Sequence, residues 1–458
     1  MPASPPSRLD LIFKAYDIRG TYPEQIDADV CRKIGAAFAR LTDAPRIVVA
    51  RDMRLSSDEL AGAFVEGATS QGADVIDLGL ASTDLLYFAS GKLDLPGAMF
   101  TASHNPAGYG GIKLCREGAG PVGEESGLRE IRKMVEDGLP EHPSQGRVTQ
   151  QDLLGQFAEH VRSFIDSAAL GSAQRLSVVA DVANGMGGLV VPAAFEGLPA
   201  DLELMYPELD GTFPNHPADP TVLENLSDLR RRVVEKGADM GLGFDGDADR
   251  AVVVDETGSV LSGSTVTCML AELLLRTAPG AAVVHNLICS RAVAEVITEK
   301  GGRPIRSRVG HSFIKTVMAD TDAVFGGEHS AHYYFRDNYR ADSGLIASVL
   351  VLGLVAERGQ PLSELRKPYE RYRASGEVNT RVSDPQATIE RVAARYSDRT
   401  QDRLDGLTVD AGSWWFNLRG SNTEPLLRLN LEAADEAECQ DQLEEVLGLV
   451  REDEADGT

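Results

Sequence analysis

Residues Ser57–Gly79, SDELAGAFVEGATSQGADVIDLG, carry a pattern that recurs along the chain. Residues Ser57–Gln71 are helix-like, Gly72 follows directly, and Ala73–Gly79 has the composition of a short apolar strand. A glycine just past a helix supplies the left-handed residue that ends it. The stretch therefore predicts a helix that stops at a glycine and is followed by a strand.

The same order of features occurs twice more, in Leu226–Gly243 and in Ser290–Ile305. Strands that alternate with helices imply crossover connections and a largely parallel sheet. Further apolar runs predict buried strands at Ile47–Ala50, Val178–Ala180, Val252–Val254 and Ala282–Val284. The sequence thus predicts three similar α/β units.

Turn-rich breaks divide the chain. They lie at Pro140–Gly146, Asp255–Gly258 and Lys367–Pro368, and beyond the last one Glu377–Leu431 has a more antiparallel pattern followed by a helix. We therefore expect four domains. Their predicted ranges are 1–145, 146–255, 256–368 and 369–458.

The composition excludes several function classes. The 458 residues include 45 Lys and Arg against 70 Asp and Glu, a net charge of −25, which argues against nucleic acid or an anionic membrane as a general partner. No apolar run is long enough to cross a membrane, and the N-terminus lacks the apolar core of a secretory signal. Five widely spaced cysteines are typical of free thiols in a reducing cytoplasm.

Polar loops follow the predicted strands, at the edge where open α/β sheets bind ligands. The first loop is Thr101–Pro106, TASHNP, in which Ser103 is either a nucleophile or a turn and capping residue. The loop has no glycine two residues from Ser103 on either side, so it is not the nucleophile elbow of a hydrolase. Downstream, the flexible turn Gly108–Lys113 carries Lys113, which is either a phosphate ligand or a solvated surface lysine.

The second loop, Gly243–Arg250, has the sequence GFDGDADR. Three carboxylates at alternate positions, Asp245, Asp247 and Asp249, repel one another unless a cation lies among them, and all-oxygen ligands favour Mg²⁺. The alternative is a solvated acidic turn. An EF-hand is excluded because its sixth position requires glycine and is Arg250 here. The guanidinium of Arg250 can hold a substrate or a transferring phosphoryl group.

Two further loops suit a phosphorylated sugar. Glu328 and Ser330, in Gly326–His332, can bind adjacent hydroxyls, and Arg419–Pro425, RGSNTEP, is either an anion-binding nest or a tight hairpin turn. His311 is a candidate acid, base or phosphate ligand, with a structural role as the alternative.

Taken in order, these four loops and Phe13–Gly20, FKAYDIRG, resemble the α-D-phosphohexomutase family, and most closely its phosphomannomutase/phosphoglucomutase members. The resemblance extends from Phe13 to Leu429. It implies three similar mixed α/β domains and a C-terminal α+β domain like the TATA-box-binding protein, arranged around a central cleft.

The resemblance also assigns roles. It implies that Ser103 is the phosphoserine and that Mg²⁺ is held by Asp245, Asp247, Asp249 and a phosphate oxygen on Ser103. Residues implied near the reacting phosphate or sugar are Tyr16, Arg19, Lys113, Arg250, His311 and His332. Residues implied to bind sugar hydroxyls or the distal phosphate are Glu328, Ser330, Arg419, Ser421, Asn422 and Thr423.

One departure concerns proton transfer. Some members have a lysine where this chain has Ile288, so the base is expected to be another group, either His311 or Lys113. The implied reaction interconverts hexose 6-phosphate and hexose 1-phosphate, of mannose, glucose or both, through a hexose 1,6-bisphosphate. The alternatives are a Mg²⁺-dependent sugar phosphatase, a non-enzymatic metal-binding module and a phosphoglucosamine mutase; Asn422 and His329 depart from the Gly and Gln usual in the last of these.

Overall fold

The first domain is built on a mixed sheet of seven strands. The computed structural model describes residues 7–140, 142–165, 175–420 and 426–455. The order of the sheet is β1-β5-β4-β2-β3-β7, and β6 pairs with β5. The strands are β1 (Ile18–Thr21), β2 (Arg46–Arg51), β3 (Asp74–Leu80), β4 (Gly97–Phe100), β5 (Tyr109–Arg116), β6 (Gly120–Pro121) and β7 (Val148–Gln150). The helices are α1 (Arg8–Ile12), α2 (Ala28–Thr42), α3 (Ser57–Ser70), α4 (Thr83–Leu93) and α5 (Arg129–Asp137).

The second domain has a four-stranded sheet in the order β11-β10-β8-β9. Strands β9, β8 and β10 are parallel, and β11 is antiparallel to β10. The strands are β8 (Leu176–Asp181), β9 (Ala200–Met205), β10 (Met240–Phe244) and β11 (Ala251–Asp255). The helices are α6 (Leu154–Arg162), α7 (Gly187–Phe195) and α8 (Ser227–Lys236).

The third domain repeats this plan in the order β13-β12-β14-β15, with β15 antiparallel at one edge. The strands are β12 (Ala282–Asn286), β13 (Arg303–Ser307), β14 (Phe325–Gly327) and β15 (Tyr333–Phe335). The helices are α9 (Gly263–Leu275), α10 (Arg291–Glu299), α11 (His311–Thr321), α12 (Gly344–Arg358) and α13 (Leu362–Leu365).

The fourth domain is an antiparallel five-stranded sheet with two helices, in the order β16-β20-β19-β18-β17. The strands are β16 (Arg373–Arg381), β17 (Thr400–Asp402), β18 (Leu407–Asp410), β19 (Trp414–Gly420) and β20 (Leu426–Ala433). The helices are α14 (Pro385–Arg395) and α15 (Glu436–Ala455). The expected fold class, three similar mixed α/β domains and a distinct C-terminal α+β domain, is confirmed.

The repeated glycines end helices as the sequence predicts. Gly72, Gly237 and Gly301 lie just past α3, α8 and α10 with φ angles of 85°, 63° and 76°. A strand follows each of them. The sheets are less parallel than expected, because the strands that return after the polar loops, such as β5 and β11, run back along their neighbours as hairpins.

The hydrophobic interior is divided into unequal parts. One cluster runs through the first three domains, from Val48 to Leu362, and includes α12, which packs on α6 and α9. The fourth domain has its own core around Phe416, Leu429 and Val446. Its junction with the third domain includes polar contacts: Arg291 at the start of α10 pairs with Asp410, and Arg306 pairs with Asp402.

Asp84, at the start of α4, lies between the first and third domains. Its side chain is fully buried and accepts hydrogen bonds from Ser82 and, at 2.7 Å, from Ser343 Oγ. Burial raises the pKa of Asp84 to about 7, from 3.8 when exposed. The folded protein therefore keeps this proton over a range in which the unfolded chain has lost it.

Replacing Asp84 with asparagine is expected to flatten the pH dependence of stability. The contribution of this proton is complete below pH 4 and is lost as the pH rises to about 7, by up to about 4 kcal/mol in all. Between pH 5 and pH 7 the melting temperature of the parent protein should fall relative to that of Asp84→Asn. Asp94→Asn, at the exposed end of the same helix, should keep the parental slope. Parallel curves for all three proteins would contradict the assignment.

Candidate active site

Ser103 lies in a turn just beyond the end of β4. It is 4% exposed, and its φ of 50° places a non-glycine residue in the left-handed region. Its backbone N–H donates to Thr101 Oγ1 at 2.9 Å. Strained backbone of this kind persists where surrounding contacts over-determine it, and it clusters at functional sites.

The acidic loop between β10 and β11 meets this turn directly. Asp245, Asp247 and Asp249 are at most 1% exposed, and one oxygen from each lies within 4.8 Å of the others. Ser103 Oγ donates to Asp245 Oδ2 at 2.7 Å. A Cβ at Gly246 would lie 2.5 Å from the Ser103 carbonyl oxygen, so the close approach of the two loops requires this glycine.

Two buried cations complete the cluster. Lys113 Nζ donates to Asp247 Oδ2 at 2.7 Å and to Asp249 Oδ2 at 2.5 Å. Arg250 Nε donates to Asp245 Oδ2 at 2.9 Å, and its Nη2 lies 3.4 Å from Ser103 Oγ. Ser103 Oγ therefore lies between the acidic loop and a buried guanidinium.

The pKa values of the charged residues in this cluster are shifted in different directions. The pKa of Asp245 is raised to about 8, chiefly by burial; Arg250 opposes this shift, and the neighbouring carboxylates of Asp247 and Asp249 add to it. Burial acts in the same direction on Asp247, but Lys113 holds the pKa of Asp247 well below its ordinary value. Burial alone would lower the pKa of Lys113, yet Asp247 and Asp249 keep it well above its usual range. Lys113 therefore stays protonated.

The three carboxylates fit a divalent cation. Among the residues that the structure describes, Asp247 Oδ1 and Asp249 Oδ1 are buried and have no hydrogen-bond partner. Buried carboxylate oxygens without partners are costly, and a hard cation among them satisfies them.

The loop Glu328–His332 follows β14 and contacts the acidic loop. Glu328 is 2% exposed; its Oε1 accepts a hydrogen bond from Tyr334 at 2.6 Å and its Oε2 one from Asn286 at 3.0 Å. Ser330 Oγ lies 3.1 Å from His332 Nδ1. His332 Nε2 lies 3.7 Å from Asp249 Oδ1, so His332 joins the two loops.

Arg19, Tyr16 and His311 lie on adjoining elements. Arg19 Nη1 donates to Asn105 Oδ1 in the Ser103 turn at 2.6 Å. Tyr16 and His311 are in edge-to-face contact with ring centroids 4.9 Å apart. Both ring nitrogens of His311 are buried and accept or donate no hydrogen bond within the described ranges. Burial lowers the pKa of His311 well below its ordinary value, and Lys315 lowers it further, so the ring is neutral.

Arg419 brings the fourth domain to the site. It is 7% exposed, and its Nη2 donates to Glu377 Oε2 at 2.6 Å and its Nη1 to Asn430 Oδ1 at 3.0 Å. Burial lowers the pKa of His329, beside Glu328; Glu377 opposes this shift and Arg419 adds to it. The other three residues predicted in this loop lie outside the described residues: Ser421, Asn422 and Thr423.

The position of the expected lysine is apolar and buried. Ile288 is 8% exposed in the turn after β12. His285, three residues earlier, is 6% exposed, and burial lowers its pKa to about 4. Neither residue takes over a cationic role.

The sequence reasoning missed several buried polar residues. Lys315 Nζ lies 3.3 Å from Asp342 Oδ1 and 3.6 Å from the centre of the Tyr87 ring. Asp342 also comes within 4.8 Å of ligand atoms of Asp249 and His332. Arg54 lies beneath the Ser103 turn. Arg54 could have been found from its place after β2, because that strand end borders the same edge of the sheet; Lys315 and Asp342 have no local motif.

Within the described ranges, no single helix is both long and apolar enough to cross a membrane. Gly344–Arg358 and Leu362–Tyr369 meet the length and composition criteria as a pair, but they are bent by 96° at the break between them.

Comparisons with known proteins agree with this arrangement. The chain matches the phosphoglucomutase/phosphomannomutase alpha/beta/alpha domains I, II and III over residues 10–140, 155–258 and 262–372, and the C-terminal domain over residues 377–449.

Relatives match it over nearly their whole length. It is 40% identical over 433 residues to a phosphomannomutase of Salmonella montevideo, covering 92% of this chain and 94% of the relative. It is 39% identical over 446 residues to phosphohexose mutases of Xanthomonas campestris pv. campestris, covering 96% and 99%. A crystal structure of a family protein from Burkholderia thailandensis superposes with a TM-score of 0.87 at 31% identity, covering 97% of this chain and 98% of that one. The chain belongs to the phosphoglucomutase/phosphomannomutase family.

Proposed function

We propose that this chain is a phosphohexomutase that interconverts hexose 6-phosphate and hexose 1-phosphate through phosphorylated Ser103 and a hexose 1,6-bisphosphate. The observation that carries the proposal is the Ser103 hydroxyl, which lies 2.7 Å from Asp245 within a buried acidic triad and 3.4 Å from Arg250. Family membership supports the same reaction class.

Each half-reaction moves one phosphoryl group. The bond between phosphorus and Ser103 Oγ breaks and Oγ takes up a proton, while a bond to the free sugar hydroxyl forms and the proton of that hydroxyl passes to a base. In the second half-reaction Ser103 Oγ gives up its proton and forms a bond to the other phosphate of the bisphosphate, and the leaving sugar oxygen takes up a proton. The main task in such transfers is to position the groups and stabilise charge.

The proton acceptor we infer is His311. Lys113 is held by two carboxylates and stays protonated, so it suits charge stabilisation better than proton acceptance. The ring nitrogens of His311 are buried and have no hydrogen-bond partner among the described residues, so one of them is free to meet the sugar hydroxyl. The backbone N–H of the preceding Gly310 donates to Glu328 Oε2 at 3.3 Å, which supports a place for His311 beside the sugar.

The metal we infer is Mg²⁺, held by Asp245, Asp247, Asp249 and a phosphate oxygen on Ser103. When bound, it offsets negative charge on the transferring group. Two neighbouring residues support this site. Arg250 lies beside Ser103 Oγ, and Thr83 Oγ1 orients Asp247 by donating a hydrogen bond to its Oδ2 at 2.6 Å.

Glu328 and Ser330 are the proposed ligands of two adjacent sugar hydroxyls, and Tyr16, Arg19 and His332 are proposed to line the same cavity. Both oxygens of Glu328 are fixed by hydrogen bonds, so its carboxylate presents a defined edge. With a net charge of −25, attraction of an anionic sugar must come from local cations.

Replacing Arg419 with alanine is expected to raise KM about 10- to 100-fold, because a charge-assisted hydrogen bond to phosphate contributes roughly 1.5–3 kcal/mol. The effect on kcat should be smaller, since the distal phosphate is bound in both ground and transition states. Steady-state kinetics measure the split. The KM of Arg419→Lys should lie between those of the parent and Arg419→Ala. Arg403 is an exposed arginine of the same domain paired with Glu390, and the KM of Arg403→Ala should match that of the parent. An unchanged KM for Arg419→Ala would show that Arg419 does not bind the distal phosphate.

The function is tested by assaying mannose 1-phosphate, glucose 1-phosphate and glucosamine 1-phosphate side by side, with Mg²⁺ and a catalytic amount of bisphosphate. We expect conversion of mannose or glucose phosphate to the 6-phosphate without release of inorganic phosphate. Stoichiometric release of phosphate would identify a phosphatase instead. A preference for the amino sugar would identify a phosphoglucosamine mutase.

We also propose that the enzyme works in the cytoplasm. All five cysteines are buried and free. Unpaired thiols are typical of a reducing compartment, which supports this location.

A further inference from the structure

One arginine outside the predicted site gathers the backbone of the Ser103 turn around itself. Arg54 follows β2 and is 3% exposed. Its Nη2 donates to the carbonyl oxygens of Ser103 and Asn105, both at 2.6 Å. Its Nη1 donates to those of Pro106, at 2.9 Å, and Tyr109, at 3.2 Å. Four carbonyls of one loop therefore converge on a single guanidinium.

The guanidinium is itself held in place from two other directions. Asp52 Oδ2 lies 3.3 Å from Arg54 Nε, and Asp52 Oδ1 accepts hydrogen bonds from the Arg54 N–H at 3.0 Å and from Ser57 Oγ at 2.6 Å. On the side of the second domain, the Phe213 ring lies 5.1 Å from the guanidinium carbon, within the range of a cation–π contact. Asp52 thus offsets part of the buried charge of Arg54, and the two contacts restrain the orientation of the guanidinium.

These contacts act on the backbone at the nucleophile. Peptide units are planar, so holding the carbonyl oxygens of several units in one turn restrains the orientations of those units together. The peptide that follows Ser103 is held in this way, and Ser103 itself has a left-handed φ of 50° that costs of order 1–3 kcal/mol. The hydrogen bonds to Arg54 offset that cost and hold Ser103 Oγ toward Asp245.

We propose that Arg54 is a positioning residue for phosphoryl transfer: through the carbonyls of the turn it holds Ser103 in the conformation in which Oγ faces the acidic loop. The inference rests on the proposed function of Ser103 as the phosphoryl carrier. Arg54 touches neither sugar nor phosphate in this role. Its effect therefore appears in the rate of transfer and not in the binding of substrate.

The test uses Arg54→Ala and Arg54→Lys in the full chain. We expect kcat to fall about 10²-fold in both, since a small misplacement of a reacting group costs that much, with KM within about threefold of the parent. Lysine retains the charge but cannot reach four carbonyls in a planar fork, so it should not rescue. In Arg54→Ala, added guanidinium ion, kept below concentrations that unfold the protein, should restore at least a tenth of the lost rate. Methylammonium at equal ionic strength should not.

A melting curve separates positioning from loss of the fold. Arg54→Lys should melt as a folded protein while its kcat remains low, and guanidinium should raise the kcat of Arg54→Ala without raising its melting temperature in proportion. Arg51→Ala, at the end of the same strand and paired with the exposed Asp58, should leave kcat unchanged. A folded Arg54→Lys with parental kcat would overturn the proposal. If Arg54→Ala fails to fold, the kcat of folded Arg54→Lys decides the question: a low value supports the proposal and a parental value overturns it.

The inference and the function on which it rests fail in different ways. If the parent protein shows no mutase activity and does not exchange phosphate at Ser103, the proposed function fails before any variant is made. If the parent turns over and the Arg54 variants match it, the role of Arg54 alone fails.

Discussion

Replacing Ser103 with alanine is expected to abolish mutase turnover, by more than about 10⁴-fold, the scale of loss when a covalent nucleophile is removed. The substitution removes the oxygen that would carry the phosphoryl group. The fold should survive, because the change deletes one hydroxyl whose hydrogen bond goes to Asp245, a group that retains Arg250 as a partner. Radiolabelled phosphate transfer from bisphosphate to protein should also disappear.

Substrate binding should persist in this variant, since neither Arg419 nor Glu328 is changed. Isothermal titration with hexose 6-phosphate should give a Kd within a few-fold of the parent. Ser70→Ala, an exposed serine at the end of α3, provides the matched control and should turn over normally. Substantial mutase activity in Ser103→Ala would refute the phosphoserine mechanism.

Replacing Asp247 with asparagine is expected to lower kcat by about 10²-fold or more. The substitution removes one carboxylate charge from the proposed Mg²⁺ site, which stabilises the transition state. Asp247 is fully buried, and one of its oxygens has no hydrogen-bond partner among the described residues. Lys113 keeps Asp249 as a partner, so the variant does not leave a lone buried cation. The concentration of Mg²⁺ needed for half-maximal activity should rise more than about tenfold.

A chelator offers an independent arm of this test. Removal of divalent ions should abolish activity of the parent, and Mg²⁺ should restore it. Asp201→Asn, an exposed carboxylate of the same domain paired with Arg175, should show the parental Mg²⁺ dependence. If Asp247→Asn also showed the parental dependence, the acidic triad would not be the metal site.

The sequence predicts the fold where local chemistry and tertiary structure agree. The glycines after α3, α8 and α10 end those helices whatever surrounds them, because few other residues adopt a positive φ at low cost. The four domain matches and the antiparallel C-terminal sheet confirm the predicted family and architecture. Strand direction depends on packing, so the antiparallel β5, β11 and β15 were not evident from apolar runs.

The convergence of the predicted loops also follows from topology. Ser103, Asp245 and Glu328 each come directly after a strand, and the structure brings the first two into contact. The exclusion of an EF-hand agrees with β11, which begins immediately after Arg250. Val148–Gln150, beyond the predicted boundary at 145/146, pairs with β3 of the first sheet.

The residues that sequence reasoning missed depend on contacts between distant segments. Arg54 acts on a turn about 50 residues away, and Lys315 meets Asp342 from a different element. The place of Arg54 after β2 puts it at the edge of the sheet that carries the site, whereas Lys315 has no such signal. The partners of both residues are known only once the chain is folded. Motif reading found residues that share a loop; it did not find the groups that hold those loops in place.

The unequal division of the interior has a consequence for the bisphosphate. One apolar cluster continues through parts of the first three domains, although the first domain also has a second cluster around Phe38 and Phe64. The core of the fourth domain is not continuous with either, and this domain meets the third in part through ion pairs such as Arg291–Asp410. Water replaces such pairs at small cost, so the fourth domain is the part that can swing. We expect the bisphosphate intermediate to reorient when the fourth domain moves away from it. If the junction between the third and fourth domains were weakened, the bisphosphate would dissociate before the second transfer. Ser103 would then remain without a phosphate and the enzyme would be inactive, although its catalytic residues are unchanged.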